Sequence, residues 1–141
     1  MTSAQATQHP ENTIKPRKMA FEMEQLTEKF FFRNNPVLST FMYALSAAFP
    51  DGERFFIDSV RHYQKQIDVP TLLAQVRGFF GQEAHHSHIH EQCNERAETL
   101  GMALATAQQR FKTRRAIAQR RLRPAEQLAG TAAIEPFSAP L

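Results

Sequence analysis

The segment between residues 70 and 100 constrains the fold most, because apolar and ionisable residues share one face of a long predicted helix. At about 100° per residue, four apolar residues fall within about 60° of Glu83: Leu72, Val76, Phe79 and Phe80. The same face also carries His86, His90 and Asn94. An apolar stripe that continues into such side chains predicts an ionisable site that points into the protein.

The histidines of EAHHSHIH divide into two pairs. His86 and His90 are on the inward face, whereas His85 and His88 are expected to face solvent. A buried carboxylate is costly unless it is paired or binds a metal. Carboxylate and imidazole together suit zinc, iron or manganese, so Glu83, His86 and His90 are predicted metal ligands.

A buried polar cluster without metal is the alternative for the same face. In that case Glu83 bridges protonated histidines, and the side chain of Asn94 bonds to the backbone.

Two further carboxylates are candidates for the same site. Glu53 shares a helical face with four apolar residues: Phe56, Ile57, Val60 and Ile67. It could instead be a first-turn residue that the helix dipole favours. Glu135 lies in TAAIEPF, on the face of Leu128 and Thr131.

The remaining pattern predicts an all-α helical bundle, since alternating apolar and polar runs are nearly absent. We expect a short element at residues 21–32 and helices at 37–49, 51–67, 70–100, 105–122 and 124–135. Pro50 and Gly52 mark a break, Asp68 is a candidate cap, and Gly101 is a stop signal.

The chain of 141 residues has a one-domain length. We expect a disordered tail at residues 1–17, a helical metal-binding domain at 18–135 and a C-terminal tail at 136–141. The single cysteine, Cys93, excludes an internal disulfide and is expected to be a buried structural thiol. No signal peptide and no membrane-spanning stretch is found, which favours the cytoplasm.

The net charge of +3 is concentrated in RFKTRRAIAQRRLR, residues 110–123. This segment is either a solvated helix face or a surface for an acidic partner. Nucleic acid is not the expected partner, because the segment has one aromatic residue and no DNA-reading motif.

Several long strings resemble a bacterial family of predicted metal-dependent hydrolases, whose members have ferritin-like helical character. They are PRKMAFEM, NNPVLSTFMYALSAAFPDGERFF and VRGFFGQEAHHSHIHEQCN, within residues 15–135. The resemblance implies that the inward glutamate of GERFF is Glu53. It further implies that the Gln-Glu-x-x-His-x-x-x-His string contributes Glu83, His86 and His90, and that an Ala-Ala-x-Glu string contributes Glu135.

This sequence differs from the family pattern at its C-terminal end. The family continues into another helix with a second Glu-x-x-His, and it does not usually place proline where Pro136 stands. The resemblance therefore implies a truncated bundle. Such a chain would bind one divalent metal, or form a homo-oligomer whose partner chain completes the site.

The expected function is hydrolysis of an unidentified small molecule by a metal-activated water. Glu53, Glu83 and Glu135 are the candidate catalytic residues, and the same three with His86 and His90 are the candidate ligands. The runner-up is a di-iron ferritin-like oxygenase or oxidase. Two further alternatives remain open: a non-catalytic interaction module that uses residues 110–123, and an inactive family member.

Overall fold

Four helices build the protein, as shown by a computed structural model that describes residues 14–138. They are α1 (Pro36–Arg61), α2 (Pro70–Thr99), α3 (Ala105–Arg121) and α4 (Pro124–Ser138). The described part of the chain contains no strand, so the predicted all-α fold is confirmed. Of the two predicted tails, residues 1–13 and 139–141 lie outside the described part of the chain.

Helix α1 is the central element, since α2, α3 and α4 all pack against it. It begins after Asn35, whose Oδ1 accepts hydrogen bonds from the amides of Val37 and Leu38 at 3.0 Å each. This is a side-chain cap for amides that have no partner within the helix. Pro36 occupies the first turn, where its missing amide hydrogen costs nothing.

The predicted break at Pro50 is wrong, because α1 continues through it. Proline has no amide hydrogen, so the carbonyl of Ser46, four residues earlier, loses its usual helical donor. Asn94 of α2 replaces that donor: its Nδ2 donates to the Ser46 carbonyl at 3.1 Å. Asn94 is completely buried, so the substitute hydrogen bond is shielded from water.

The ends of the helices differ from the sequence prediction in several places. Helix α1 ends at Arg61, and a short 3-10 turn (Gln64–Gln66) follows it. Asp68 is not the cap of α2, since Val69 takes that position without a side-chain bond. Gly101 does stop α2, with the positive φ of 83° that glycine tolerates. Helix α4 passes through Pro136, beyond its expected end.

The segment before α1 is irregular, with one 3-10 helix (Met23–Gln25) and turns at residues 29–34, and part of it lies along α2. A Cβ added to Gly78 would lie 2.0 Å from the carbonyl oxygen of Ile14, and one added to Gly81 would lie 2.7 Å from Pro16. The amide of Arg17 donates to Oε1 of Gln82 at 2.8 Å. The two glycines thus permit the close approach of this segment to α2.

The basic segment lies mostly on α3, and one of its arginines turns inward. Nε of Arg115 lies 3.1 Å from Oδ1 of Asp51, a buried carboxylate of α1. The other cationic side chains between residues 110 and 123 are exposed. None of the described helices combines the length and apolar content that a membrane crossing requires.

Candidate metal centre

Two antiparallel helices, α1 and α2, bring three ligand-type side chains together. Glu53 projects from α1, and His86 and His90 project from successive turns of α2. One ligand atom from each lies within 4.8 Å of the other two. These are three of the five residues that the sequence proposed as ligands.

Glu53 is the most buried of the three, with 1% of its surface exposed. Its Oε1 lies 2.7 Å from Nδ1 of His86. Its Oε2 is buried and has no hydrogen-bond partner within the part of the chain that the structure describes. A buried carboxylate oxygen without a partner carries a free-energy penalty that a bound cation would remove.

The two imidazoles point at each other through their second nitrogens. Nε2 of His86 lies 3.1 Å from Nε2 of His90. Nδ1 of His90 lies 2.9 Å from the hydroxyl oxygen of Ser46, and Phe49 stacks on the His90 ring with centroids 4.3 Å apart. His90 is therefore held by a hydrogen bond at one nitrogen, which leaves the other nitrogen directed toward His86.

Ser46 was not among the predicted site residues. Ser46 precedes Glu53 by seven residues, which is about two turns of helix, so the two share one face. The predicted break at Pro50 hid this relation, because it placed them on different helices.

Burial and charge set the protonation of these groups. Burial, together with the charge of His86, lowers the pKa of His90 to about 4, so this ring is neutral and able to bind a metal at neutral pH. The hydrogen bond to Glu53 raises the pKa of His86. Burial raises the pKa of Glu53. Because both pKa values are raised, the pair readily retains a proton, which a metal ion would have to displace.

Glu83 lies one turn before His86 and is 7% exposed, as its predicted inward position requires. Burial, and then the charge of Glu53, raise its pKa to about 7. It is not among the three residues whose ligand atoms converge within 4.8 Å. Glu83 is thus a buried carboxyl group beside the cluster, and its pKa lies close to neutral pH.

Glu135 reaches the same region from α4. The Ser59 hydroxyl of α1 is 2.8 Å from that of Thr131, which precedes Glu135 by one turn of α4. Glu135 is half-buried, and its charge contributes to the raised pKa of Glu83. The structure therefore brings Glu135 into electrostatic contact with Glu83, outside the converging three.

The remaining histidines of α2 and Cys93 have other surroundings. His88 is exposed, as expected. His85 is not, because its Nε2 lies 3.0 Å from the carbonyl oxygen of Met19 in the segment that covers α2. Cys93 is a free, half-buried thiol, and burial raises its pKa, which disfavours the reactive thiolate.

The donor set fits a divalent metal. Two imidazoles and one carboxylate leave coordination positions open, as catalytic zinc and non-haem iron sites do. The expectation that Asn94 bonds to the backbone is met, but Glu53, rather than Glu83, contacts a histidine. The orphaned Oε2 of Glu53 favours a bound cation over a polar cluster that is complete without one.

A comparison with protein families matched residues 15–141 to a family described as predicted metal-dependent hydrolase. The comparisons with curated proteins and with solved structures gave no match.

Proposed function

The chain belongs to the family of predicted metal-dependent hydrolases, and we propose that Glu53, His86 and His90 hold the metal with which it hydrolyses a small molecule. The convergence of these three ligand atoms within 4.8 Å carries the proposal. A divalent metal in such a site acts as a Lewis acid and lowers the pKa of a coordinated water to about 7. The metal itself would be zinc, iron or manganese, all of which accept this donor set.

The protein groups around the cluster have distinct proposed roles. Ser46 keeps Nδ1 of His90 engaged, so that Nε2 is the nitrogen available to the metal. Glu83 is the proposed general base and acid, because a pKa of about 7 lets it accept and return a proton at neutral pH. Glu135 is proposed to assist through its charge, which favours the protonated form of Glu83.

Metal analysis of the purified protein tests the proposal. Wild type should carry bound metal, and His86→Ala and His90→Ala should lose most of it. His88→Ala is the matched control, because His88 lies on the same helix but is exposed. Circular dichroism would verify that all three variants are helical. The proposal fails if folded His86→Ala and His90→Ala retain the wild-type metal content.

A second chemistry is favoured by the same ligand set. Two histidines and one carboxylate with open positions are typical of non-haem iron oxygenases. Iron content and oxygen consumption after reduction distinguish this activity from hydrolysis. A protein that is purified with zinc and does not consume oxygen would exclude the oxygenase.

A further inference from the structure

A cavity of about 270 Å³ lies against the two histidines of the candidate metal centre. His86 and His90 form part of its wall. Most of the remaining wall is apolar and comes from α1, α2 and the segment before α1; it includes Met19, Phe21, Met42 and Ile89. The cavity is thus built by three parts of the chain, and two of the side chains proposed to bind the metal form part of its wall.

The mouth of the cavity is apolar as well. Met19 is 54% exposed, Phe21 is 52% exposed and Met42 is 39% exposed, although all three line the cavity. Large apolar side chains at a surface opening mark a binding site for an apolar group. Methionine suits this role because its flexible thioether adapts to irregular ligands.

We infer that this cavity binds the apolar part of the substrate and directs it toward His86 and His90, an inference that rests on the proposed function. The substrate class is a small molecule that carries an alkyl or aryl group. The volume of about 270 Å³ accommodates roughly nine non-hydrogen atoms at about 30 Å³ each, the share of a water molecule in the liquid. Arg17 is the one Lys or Arg side chain among the described lining residues, and most of the others are apolar, which favours an uncharged group.

The test measures binding of linear alcohols to the metal-free protein by isothermal titration calorimetry. Butan-1-ol, hexan-1-ol, octan-1-ol and decan-1-ol form the series. Affinity should increase roughly fourfold for each added methylene. The gain per methylene should become smaller beyond octan-1-ol, which has nine non-hydrogen atoms, because the cavity is then filled and the rest of the chain lies at its open mouth. An affinity that does not depend on chain length would overturn the inference.

One pair of variants locates the binding. Met42→Gln places a polar group in the cavity wall and should weaken octan-1-ol binding by about fivefold to tenfold. Leu38→Gln is the matched control: it lies one turn earlier in α1, is similarly exposed at 44%, and is not among the lining residues. Equal effects of the two substitutions would show that the alcohols bind elsewhere.

Other outcomes separate this inference from the proposed function. Metal uptake that depends on His86, without alcohol binding, would refute the inference and leave the metal site in place. Alcohol binding without metal uptake would refute the proposed function, and with it the assignment of the bound group as substrate. If ultracentrifugation shows a dimer that Met42→Gln dissociates, a second copy covers the mouth, and the inference is wrong.

Discussion

Replacing Glu83 by glutamine should stabilise the metal-free protein, and the gain should increase with pH. Burial raises the pKa of Glu83 from 4.5 to about 7 in the folded state. Between these values the folded protein retains a proton that the unfolded chain has released. The stability of the wild type therefore falls as the pH rises through this window, and the full cost is present above pH 7.

The magnitude follows from the two pKa values. A pKa of 4.5 in the unfolded chain and of about 7 in the folded protein corresponds to about 3 kcal/mol once both states are ionised. About 2.5 kcal/mol of this cost arises between pH 5 and pH 8. Glutamine has the same shape and no charge, so the variant avoids the cost.

Urea denaturation at pH 5 and pH 8 measures the effect. The stability difference between Glu83→Gln and wild type should be about 2.5 kcal/mol more favourable to the variant at pH 8 than at pH 5. Glu95→Gln is the control, because Glu95 lies on α2 in contact with solvent. A difference for Glu83→Gln that is the same at both pH values would refute the argument.

Three further outcomes are expected. Ser46→Ala should lower metal affinity about tenfold, because His90 loses its orienting bond; a competition titration with a chelator would show no change if that bond is unimportant. Gly52→Ala should stabilise the protein by about 0.5–1 kcal/mol, since the added Cβ meets nothing within 4 Å. Gly78→Ala should destabilise it, because the added Cβ would lie 2.0 Å from the carbonyl oxygen of Ile14 in the segment before α1. Urea denaturation that ranks the two variants in the opposite order would contradict this. Metal affinity should rise from pH 6 to pH 8, because the pKa of His86 is raised and the metal must displace a proton from it. Calorimetric titrations that give equal affinities at the two pH values would exclude competition between the proton and the metal.

Helical periodicity identified most of the inward residues, because it depends only on geometry along one helix. It was wrong for Leu72, which it placed inward and which is 45% exposed. It separated Glu83 and Asn94, which are buried, from His88, which is exposed. It also placed Glu53 with Phe56 and Ile57, and all three are buried. For a regular helix, the angle between residues is sufficient to predict which side chains share a face.

Relations between segments could not be obtained in this way. Pro50 indicates a helix end by local rules, whereas the substitute donor for the Ser46 carbonyl comes from Asn94, which is distant in sequence. The same limitation left His85 on the solvent side, because its partner is a backbone carbonyl in the segment before α1. Ligand convergence and the cavity likewise depend on tertiary packing.

Because α1 continues past Pro50, two unbroken helices supply all the side chains of the centre. Ser46 and Glu53 lie two turns apart on α1, and they contact His90 and His86 on the antiparallel α2. The connection at residues 62–69 contributes none of these side chains. One residue inserted between Ser46 and Glu53 would rotate Glu53 by about 100° away from His86. A pair of antiparallel helices should therefore hold the centre if it keeps the seven-residue spacing from Ser46 to Glu53 and the four-residue spacing from His86 to His90.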